Sequence, residues 1–462
     1  MGAPFLNAGA AAGDTYFDIE NIAGTDFGDI IGGDNGANYL YGFGGNDNLY
    51  GGGGDDIFDG GTGADFMDGQ DGADVVTYDS ASAGVTAFLG GASFNAGEAA
   101  GDTYANIENL IGSDFADILG GTDENNVLFG GMGNDLLFGG GGDDLLEGGA
   151  GGDALDGQAG FDLVSYSRAD SGVIAFLGGN YLNTGDAVGD TYTSIEGMLG
   201  SEFDDILGGD NAANVLNGAG GNDYLIGAAG DDYLVGGDGN DVLIGNDGND
   251  ILDGGAGQDV AYYREAPTGV TVNMVDRLQN TGEAALDQLI DIENVWASDF
   301  ADVIVHSDVG GQVYGFAGDD TLFGNGGDDN MYGGGGADTL SGGSGADTFF
   351  HLLYQDTVLF DQLLDGEGGD TITDFETGVD RLFVSRYWFG ISDSGAASQI
   401  SASAADFITD GAPVTAGKAT FIYDSGAHTL SFDPDGAGAA GAFEMATFSG
   451  ASSFSFSDLW SA

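Results

Sequence analysis

The sequence of 462 residues contains no cysteine, so disulfide bonds cannot stabilise its fold. Basic residues are also scarce: six Lys and Arg face 77 Asp and Glu, which gives a formal net charge of -71 at pH 7. Because nucleic acids and anionic membranes bind clustered Lys and Arg, this charge excludes them as partners and favours cations. A hydrophobic content of 42% is too high for a disordered acidic tail. We therefore expect a folded protein in which metal ions neutralise the carboxylates.

The motifs of common hydrolases are absent as well. The sequence has no H-E-x-x-H zinc motif and no G-x-S-x-G nucleophile elbow, and its three histidines, His306, His351 and His428, are isolated. Acidic residues occur throughout, so no pair of them stands out as a general acid and base. No apolar stretch is long enough to span a membrane, and residues 1–6 lack the features of a Sec signal peptide. We predict no catalytic residue, no enzyme and no membrane span.

A nine-residue repeat of the form G-G-x-G-x-D-x-U-x, where U is a large apolar residue, fills four arrays. It is clearest at 51–77 and recurs at 130–165, 218–262 and 315–350. The glycine-rich half provides a tight turn with positive φ, and the x-U-x half provides a short strand with U facing inward. Two rows then form one coil of 18 residues. The repeat therefore predicts an all-β fold, a solenoid of stacked short strands.

The sixth residue of most rows is Asp, and turns on one edge of such a solenoid stack about 4.8 Å apart. We expect Asp47 to lie over Asp65 and Asp56 over Asp74. Carboxylates at this distance repel by roughly 1 kcal/mol in water and by about 3–4 kcal/mol at an effective dielectric of 20, so the stack needs a cation. Ca²⁺ accepts about 6–8 carboxylate and carbonyl oxygens in irregular geometry, whereas Mg²⁺ requires tighter octahedral geometry. The repeat therefore predicts multiple Ca²⁺ ions, for which Mg²⁺ substitutes poorly.

These rows resemble the repeats-in-toxin (RTX), or haemolysin-type calcium-binding, repeats. The segment Gly369 to Phe375 and the Phe/Ser-rich end at 454–460 resemble the C-terminal end domain of serralysin-like exoproteins. The resemblance implies a right-handed parallel β-roll with a small β-rich C-terminal cap, Ca²⁺ between turns two rows apart, and a type I secretion exporter as a partner. It makes Asp370 and Asp374 the last calcium ligands. The predicted metal ligands are Asp47, Asp56, Asp65, Asp74, Asp135, Asp144, Asp153, Asp162, Asp223, Asp232, Asp241, Asp250, Asp259, Asp320, Asp329, Asp338, Asp347 and Asp370.

The leading rows of each array depart from the repeat. We expect these rows to bind calcium weakly or to act as caps. The sixth position holds Asn38, Asn126, Asn214 and Gly311 in place of Asp, and the rows before them, which end at Asp29, Asp117, Asp205 and Asp302, lack the glycine pairs.

A second repeat is about ten times longer. The phrase G-D-T-Y…I-E-N at 101–109 returns in close form 88 residues later at 189–197, and a further copy ends at Asn294, nine residues later than that period predicts. This phrase stands at the end of each spacer, the segment that separates two arrays. We expect the spacers to contribute extra strands that extend or cap the rolls. The predicted domains are 1–77 (partial spacer and block 1), 78–165 (spacer and block 2), 166–262 (spacer and block 3), 263–350 (spacer and block 4) and 351–462 (C-terminal end domain with the export signal).

Residues 5–33 align with 93–121, so block 1 opens partway through a spacer. This pattern is compatible with a piece of a larger exoprotein and with an atypical terminal repeat. We expect a secreted, extracellular, calcium-binding protein that folds when it meets Ca²⁺, either free or attached to the cell surface. The favoured interpretation is a non-enzymatic structural, surface or matrix component. The alternative is the C-terminal calcium-binding folding and secretion region of a larger exoenzyme such as a protease, lipase or polysaccharide-modifying enzyme.

The outward positions of the third array are unusually apolar and suggest a contact surface for self-association or for a cell-surface polysaccharide. The alternative is that a spacer or the end domain covers them. These outward residues are Tyr224, Tyr233, Val242, Ile251 and Val260 at position 7, and Ile226, Val235 and Ile244 at position 9.

Overall fold

In the computed structural model, the chain forms two compact units, Met1–Ile226 and Gly227–Ala462. The described part is all-β, with short strands and a few single-turn 3-10 helices. The predicted block boundaries stay a prediction, and the first half-spacer lies largely outside the described residues. Those described are 19–179, 182–351, 370–375, 380–384, 398–399, 406–409, 420–433, 443–449, 454 and 458–461.

Strands of three to six residues fill the first unit, and the division between the units falls inside the last of them. In chain order they are β1 (Asn21–Thr25), β2 (Ile30–Gly32), β3 (Tyr39–Phe43), β4 (Asn48–Gly53), β5 (Ile57–Asp59), β6 (Phe66–Asp71), β7 (Val75–Thr77), β8 (Thr86–Phe88), β9 (Thr103–Ala105), β10 (Asn109–Ile111), β11 (Ile118–Gly120), β12 (Val127–Met132), β13 (Leu136–Gly141), β14 (Leu145–Ala150), β15 (Ala154–Ala159), β16 (Leu163–Ser165), β17 (Ile174–Phe176), β18 (Thr191–Thr193), β19 (Gly197–Leu199), β20 (Ile206–Gly208), β21 (Val215–Gly220) and β22 (Tyr224–Ala229).

The second unit continues with strands of two to six residues. They are β23 (Tyr233–Asp238), β24 (Val242–Asp247), β25 (Ile251–Ala256), β26 (Val260–Tyr262), β27 (Thr271–Asn273), β28 (Gln288–Ile290), β29 (Asn294–Trp296), β30 (Val303–Val305), β31 (Gln312–Tyr314), β32 (Thr321–Phe323), β33 (Asn330–Tyr332), β34 (Thr339–Ser341), β35 (Thr348–His351), β36 (Asp370–Ile372), β37 (Arg381–Val384), β38 (Ser398–Gln399), β39 (Asp406–Thr409), β40 (Thr420–Asp424), β41 (Thr429–Asp433), β42 (Phe443–Phe448) and β43 (Leu459–Ser461).

Within an array, each strand pairs in parallel with the next strand but one, at an offset of 18 residues. Tyr39 of β3 lies beside Ile57 of β5, and Asn48 of β4 lies beside Phe66 of β6. This register confirms the predicted parallel β-roll. In the first unit the sheets run β1-β3-β5-β7-β10-β12-β14-β16-β19-β21, β2-β4-β6-β9, β8-β11-β13-β15-β18 and β17-β20-β22.

In the second unit the same parallel pairing continues toward the end of the chain. The sheets run β23-β25-β28, then β24-β26-β29-β31-β33-β35-β37-β43-β38, and β27-β30-β32-β34-β36-β42-β41-β40-β39. Antiparallel pairs occur at β38–β43, β40–β41 and β41–β42. The described strands after residue 369 agree with the predicted β-rich end of the chain.

The core is a column of apolar residues from the eighth position of each row. Leu40, Leu49, Phe58, Met67 and Val76 are all fully buried, while their neighbours at the seventh position are half-buried. Burial of one such side chain contributes about 1.5–3 kcal/mol. Because the strands alternate faces, one apolar residue in nine is enough to fill the narrow space between the two sheets.

The spacers contribute strands to the sheets, which is how they extend the roll. β9 pairs with β6 at an offset of 37 residues, and β10 pairs with β7 at an offset of 34. The rest of each spacer includes short 3-10 helices, which in the described residues are Ala92–Phe94, Gly97–Ala99, Gly185–Ala187, Arg277–Gln279 and Gly282–Ala284.

The apolar stripe of the third array is less exposed than the sequence suggests. Only Tyr233 among its predicted residues is exposed, at 39% of its surface. Ile244 and Val260 are buried, and the others are half-buried. The 3-10 helix Gly282–Ala284 of the following spacer contacts β24, which carries Ile244. For this face the structure favours the alternative in which a spacer covers part of the stripe.

Candidate metal centre

Each turn folds the carboxylate of its sixth residue over the glycine of its first residue. A Cβ atom on Gly130 would lie 2.4 Å from Oδ2 of Asp135 and 2.6 Å from the main-chain oxygen of Gly148, one coil further on. Gly139 has the same surroundings, with Asp144 Oδ2 at 2.3 Å. The first glycine therefore keeps open a space that is lined by a carboxylate oxygen and by a carbonyl oxygen of the next turn.

Hydrogen bonds connect the Asp residues of successive coils into columns. The N–H of Asp47 donates to Oδ1 of Asp65 at 2.7 Å, and the N–H of Asp56 donates to Oδ1 of Asp74 at 2.8 Å. The predicted stacking of these two pairs is confirmed. Further pairs of this kind join Asp135 to Asp153, Asp144 to Asp162, Asp232 to Asp250, Asp241 to Asp259, Asp320 to Asp338, and Asp329 to Asp347.

The second oxygen of these carboxylates has a different environment. It is buried, and no protein group within the described residues donates a hydrogen bond to it. A buried charged oxygen without a donor costs several kcal/mol unless a cation or a proton neutralises it. The oxygens in this position include Oδ2 of Asp47, Asp56, Asp65, Asp74, Asp135, Asp144, Asp153, Asp162, Asp250, Asp259, Asp320 and Asp329.

The pKa values of the column carboxyls are raised, which shows that burial disfavours their charged form. Burial raises the pKa of Asp56 to about 6, that of Asp65 and Asp135 to about 7, and that of Asp320 to about 8. The main-chain N–H bond to each Oδ1 lowers the pKa, but by less than burial raises it. Neighbouring carboxylates of the column raise it further, as Asp338 and Asp302 do for Asp320. The column is therefore unstable as a stack of anions without a bound cation.

The structure places every predicted ligand from Asp47 to Asp347 in a buried turn position. Asp347 accepts the N–H of Asp329 at 3.1 Å and donates its own N–H to Oδ1 of Asp380 at 3.1 Å. The main chain of Asp370 begins β36, but its side chain lies outside the described residues. Asp374, to which the resemblance also assigns calcium, accepts hydrogen bonds from Ser341 Oγ and from the N–H of Gly343, and its role as a ligand stays a prediction.

The nonapeptide pattern does not predict which residues end each column on its C-terminal side. Asp102 accepts the N–H of Asp65 at 2.9 Å through Oδ1, and its Oδ2 accepts the hydroxyl of Tyr78 at 2.8 Å. In the neighbouring column, Oε2 of Glu108 accepts the N–H of Asp74 at 2.8 Å. The corresponding groups further along the chain are Asp190 with Tyr166, Asp287 with Tyr263, Glu196 and Glu293.

The signal for these ends was the 88-residue phrase itself. Its acids, Asp102 and Glu108, recur with the phrase but stand outside the nonapeptide, so the nonapeptide pattern does not assign them to a turn. The structure shows that they replace the sixth-position Asp where a column stops. Protein hydroxyl and N–H groups then satisfy part of the charge.

On the N-terminal side, the first Asp of a column is bonded by a serine or threonine four residues before it. Oδ2 of Asp117 accepts the N–H of Ser113 at 2.6 Å, and Oδ1 accepts the N–H of Val85 at 2.6 Å and the Ser113 hydroxyl at 2.9 Å. Ser201 with Asp205 and Ser298 with Asp302 repeat this arrangement, and Thr25 bonds Asp29 in a similar way. Because protein donors reach both oxygens, these rows fit the expectation of caps.

Carboxylates and main-chain carbonyls are the ligands that Ca²⁺ accepts. The described residues contain no group of three or more His, Cys, Asp or Glu side chains that could hold one metal. A site in these turns therefore combines few carboxylates with carbonyl oxygens such as that of Gly148, a donor set that suits Ca²⁺ better than Zn²⁺. Among the described helices, none is long and apolar enough to cross a membrane.

The stacked turns and their buried carboxylate columns define a calcium-binding parallel β-roll protein. The family model of the RTX calcium-binding nonapeptide repeat matches residues 23–58, 50–80, 111–146, 133–164, 199–234, 226–261 and 314–349. The chain therefore carries RTX calcium-binding nonapeptide repeats, and these repeats bind Ca²⁺ at multiple sites. Secretion, by type I exporters, is typical of this family. A comparison with curated proteins finds no match for this chain.

Proposed function

We propose that this protein is a secreted, non-enzymatic structural or surface component whose rolls fold when it meets Ca²⁺ outside the cell. The observation that carries the proposal is the repeated column of buried Asp residues, in which Oδ2 of residues such as Asp56 and Asp135 accepts no hydrogen bond from the described part of the protein. In a cytosol that is poor in Ca²⁺, the net charge of -71 keeps the chain open for export. Outside, calcium neutralises the columns and lets the apolar core form.

The protein groups prepare each turn for a cation. The N–H of Asp135 holds Oδ1 of Asp153 at 2.8 Å and so fixes the direction of that carboxylate. Gly130, which lacks a side chain, leaves the space beside Oδ2 of Asp135 open. Bound Ca²⁺ supplies positive charge at this place, which offsets the repulsion along the column. The same arrangement recurs in other described turns, such as Gly51 with Asp56, Gly236 with Asp241 and Gly315 with Asp320.

Repeated exposed aromatic residues support a structural role. Phe27, Phe115, Phe203 and Phe300 stand at equivalent turns, and 77%, 46%, 46% and 47% of their surfaces are exposed. Recurring apolar side chains of this kind provide contact points for other molecules. His306, by contrast, is fully buried with Nε2 2.9 Å from the Glu293 carbonyl, a position that suits a structural role rather than catalysis.

The first experiment is far-UV circular dichroism of the full chain during a Ca²⁺ titration from a metal-free sample, with Mg²⁺ as the control. We expect a cooperative change from coil to β structure with Ca²⁺ and little change with Mg²⁺. A full β spectrum in the metal-free sample would overturn the calcium-gated mechanism. Mass spectrometry of the native secreted product tests the alternative role, because a folding and secretion region of an exoenzyme belongs to a longer polypeptide.

A further inference from the structure

The leading turns of blocks 2 and 3 contain an asparagine that is bonded entirely by protein groups. Nδ2 of Asn126 donates to the Glu108 carbonyl at 2.7 Å, and its Oδ1 accepts the N–H of Thr122 at 2.6 Å. Asn214 makes the same pair of bonds, to the Glu196 carbonyl at 3.3 Å and from the N–H of Asp210 at 2.8 Å.

Asn126 is nonetheless a member of a carboxylate column. Its N–H donates to Oδ1 of Asp144 at 2.7 Å, as the N–H of an Asp does elsewhere. Asp144 has the same place in the next coil, where its Oδ2 meets no donor from the described part of the chain. Oδ1 of Asn126 lies beside Gly121 as Oδ2 of Asp144 lies beside Gly139. The oxygen that meets no donor in Asp144 is therefore, in Asn126, an uncharged amide oxygen that already accepts the Thr122 N–H. Nδ2 of Asn126 takes the other place, toward the preceding coil, where Oδ1 of Asp144 accepts an N–H.

In block 4 two different residues take the places of the glycine and the asparagine, and a side chain again contacts the carbonyl of the preceding coil. Gly311 stands at the sixth position, and His306 stands at the first position, where Gly121 and Gly209 precede the two asparagines. The N–H of Gly311 joins the column through Oδ1 of Asp329 at 3.1 Å. Nε2 of His306 lies 2.9 Å from the Glu293 carbonyl, which corresponds to the carbonyls that the asparagines use.

The two changes in block 4 depend on each other. At Gly121 a Cβ would lie 2.2 Å from Oδ1 of Asn126, so a side chain at the first position conflicts with one at the sixth. At Gly311 a Cβ would lie 1.8 Å from the Glu293 carbonyl oxygen and 2.9 Å from Cε1 of His306. The imidazole therefore occupies the space that the asparagine amide fills in the other two blocks.

We propose that Asn126, Asn214 and the His306–Gly311 pair close the leading turns of blocks 2 to 4 with a protein hydrogen bond in place of a calcium ion. In blocks 2 and 3 these turns exclude Ca²⁺ because the oxygen that would face the ion is an uncharged amide oxygen that already accepts an N–H. In block 4 they exclude it because the sixth residue, Gly311, has no side-chain oxygen and the His306 imidazole fills its space. They form without metal and set the point from which each calcium column begins. The inference rests on the proposed calcium-gated folding and deepens it, since it identifies which turns are independent of the ion.

The first test measures the number of bound Ca²⁺ ions per chain by equilibrium dialysis of the full-length protein. Asn126→Asp gives this turn the negative charge that the column carboxylates carry beside the first glycine and removes the Nδ2 donor to the Glu108 carbonyl, and we expect it to gain about one ion. The matched control is Asp144→Asn in the next coil, which we expect to lose about one ion. If Asn126→Asp leaves the number unchanged while Asp144→Asn lowers it, the exclusion of calcium by Asn126 is wrong. If Asp144→Asn also leaves the number unchanged, the assignment of calcium to the columns fails instead.

The second test converts block 4 into the pattern of block 2. The double variant His306→Gly with Gly311→Asn should fold, bind the same number of Ca²⁺ ions as the unchanged protein and melt at a similar temperature. His306→Gly alone removes the donor to Glu293 and should lower the melting temperature of this block. Loss of about one ion in the double variant would make the imidazole a metal ligand and overturn the proposal for block 4.

Discussion

At the scale of single residues, the first position of an Asp-containing row requires glycine because there is no space there for a Cβ atom. We expect Gly130→Ala to destabilise the calcium-bound protein by about 1–3 kcal/mol, because its Cβ would overlap Oδ2 of Asp135 and the Gly148 carbonyl. It should also weaken calcium binding. The measurement is thermal unfolding at several Ca²⁺ concentrations.

Gly32→Ala is the control for this substitution. The nearest atom to a Cβ at Gly32 is the Tyr50 carbonyl oxygen at 3.9 Å, an ordinary contact distance. Neither Gly130 nor Gly32 has positive φ, so the comparison isolates the steric effect from backbone strain. Equal stability of the two variants would contradict the assigned role of the first glycine.

The raised pKa values of the column carboxyls imply that protons partly replace calcium. In the metal-free fold, burial holds the pKa of Asp56 at about 6 and that of Asp320 at about 8, well above the ordinary value near 3.8. The folded state then binds more protons than the unfolded state between about pH 4 and 8, so its stability falls as the pH rises through this range.

We therefore expect a metal-free sample to contain more β structure at pH 5 than at pH 8, measured by far-UV circular dichroism. With calcium present the dependence reverses, since protons compete with Ca²⁺ for the same oxygens, and more Ca²⁺ is needed at pH 6 than at pH 8. A working pH of 5 stays above the sequence pI of about 4.1, which limits precipitation. Metal-free samples with identical spectra at pH 5 and pH 8 would contradict the buried columns.

At this scale the sequence predicts much of the site. The Asp-containing nonapeptide identifies the column residues from Asp47 to Asp347 and their 18-residue offset. It does not predict that Oδ1 of each Asp accepts an N–H from the preceding coil, because that bond depends on the side-chain rotamer. Nor does it predict His306, whose role depends on Gly311 five residues away and on a carbonyl from the preceding coil.

At the scale of structural elements, the spacers supply the ends of the columns. Tyr78 is buried at the start of a spacer and donates its hydroxyl to Oδ2 of Asp102, the last carboxylate of its column. Tyr166 and Tyr263 repeat this contact with Asp190 and Asp287. The spacer is therefore more than a linker, because it brings a carboxylate and its donor together at the same place.

Tyr78→Phe removes the hydroxyl and leaves a buried carboxylate oxygen without this donor. We expect a local destabilisation of about 1–3 kcal/mol. Hydrogen exchange in saturating Ca²⁺ measures it, with faster exchange of residues 60–105 and unchanged exchange of residues 130–160. Tyr50→Phe is the control, since Tyr50 is half-buried and packs edge-on against Phe66. Unchanged exchange near Asp65 and Asp102 in Tyr78→Phe would show that the hydroxyl does not hold the column end.

The spacer strands are harder to predict than the array strands. Thr103 pairs with Phe66 at an offset of 37, and Asn109 pairs with Val75 at an offset of 34. Neither offset is a multiple of nine, so the nonapeptide period does not carry into the spacer. The pairing is set by how many residues the loop and its 3-10 helices take up, which no short motif records.

At the scale of the whole molecule, the constant offset of 18 residues makes one coil a removable unit. Deletion of residues 130–147 joins Phe129 to Gly148 and places each following row on the coil before it in the same register. We expect this variant to fold with Ca²⁺, to bind fewer ions and to melt at a similar temperature. Calcium-dependent circular dichroism and equilibrium dialysis check both points.

A deletion of 14 residues, 130–143, is the control. It removes almost as much chain but shifts the following turns out of register, so that glycines and Asp residues no longer face each other across coils. We expect it to lose the calcium-induced β spectrum for block 2. Equal folding of both deletions would mean that the coils do not depend on the 18-residue period.

The closed ends of the columns also bear on how a protein like this grows in evolution. Residues 101–109 and 189–197 carry the same pair of column ends at a spacing of 88 residues, and the serine-bonded starts at Asp117 and Asp205 have the same spacing. A tandem duplication of 88 residues, wherever it begins, therefore inserts one complete set of starts and ends. The new copy needs no compensating change in its neighbours, so gene duplication can lengthen the protein in a single step.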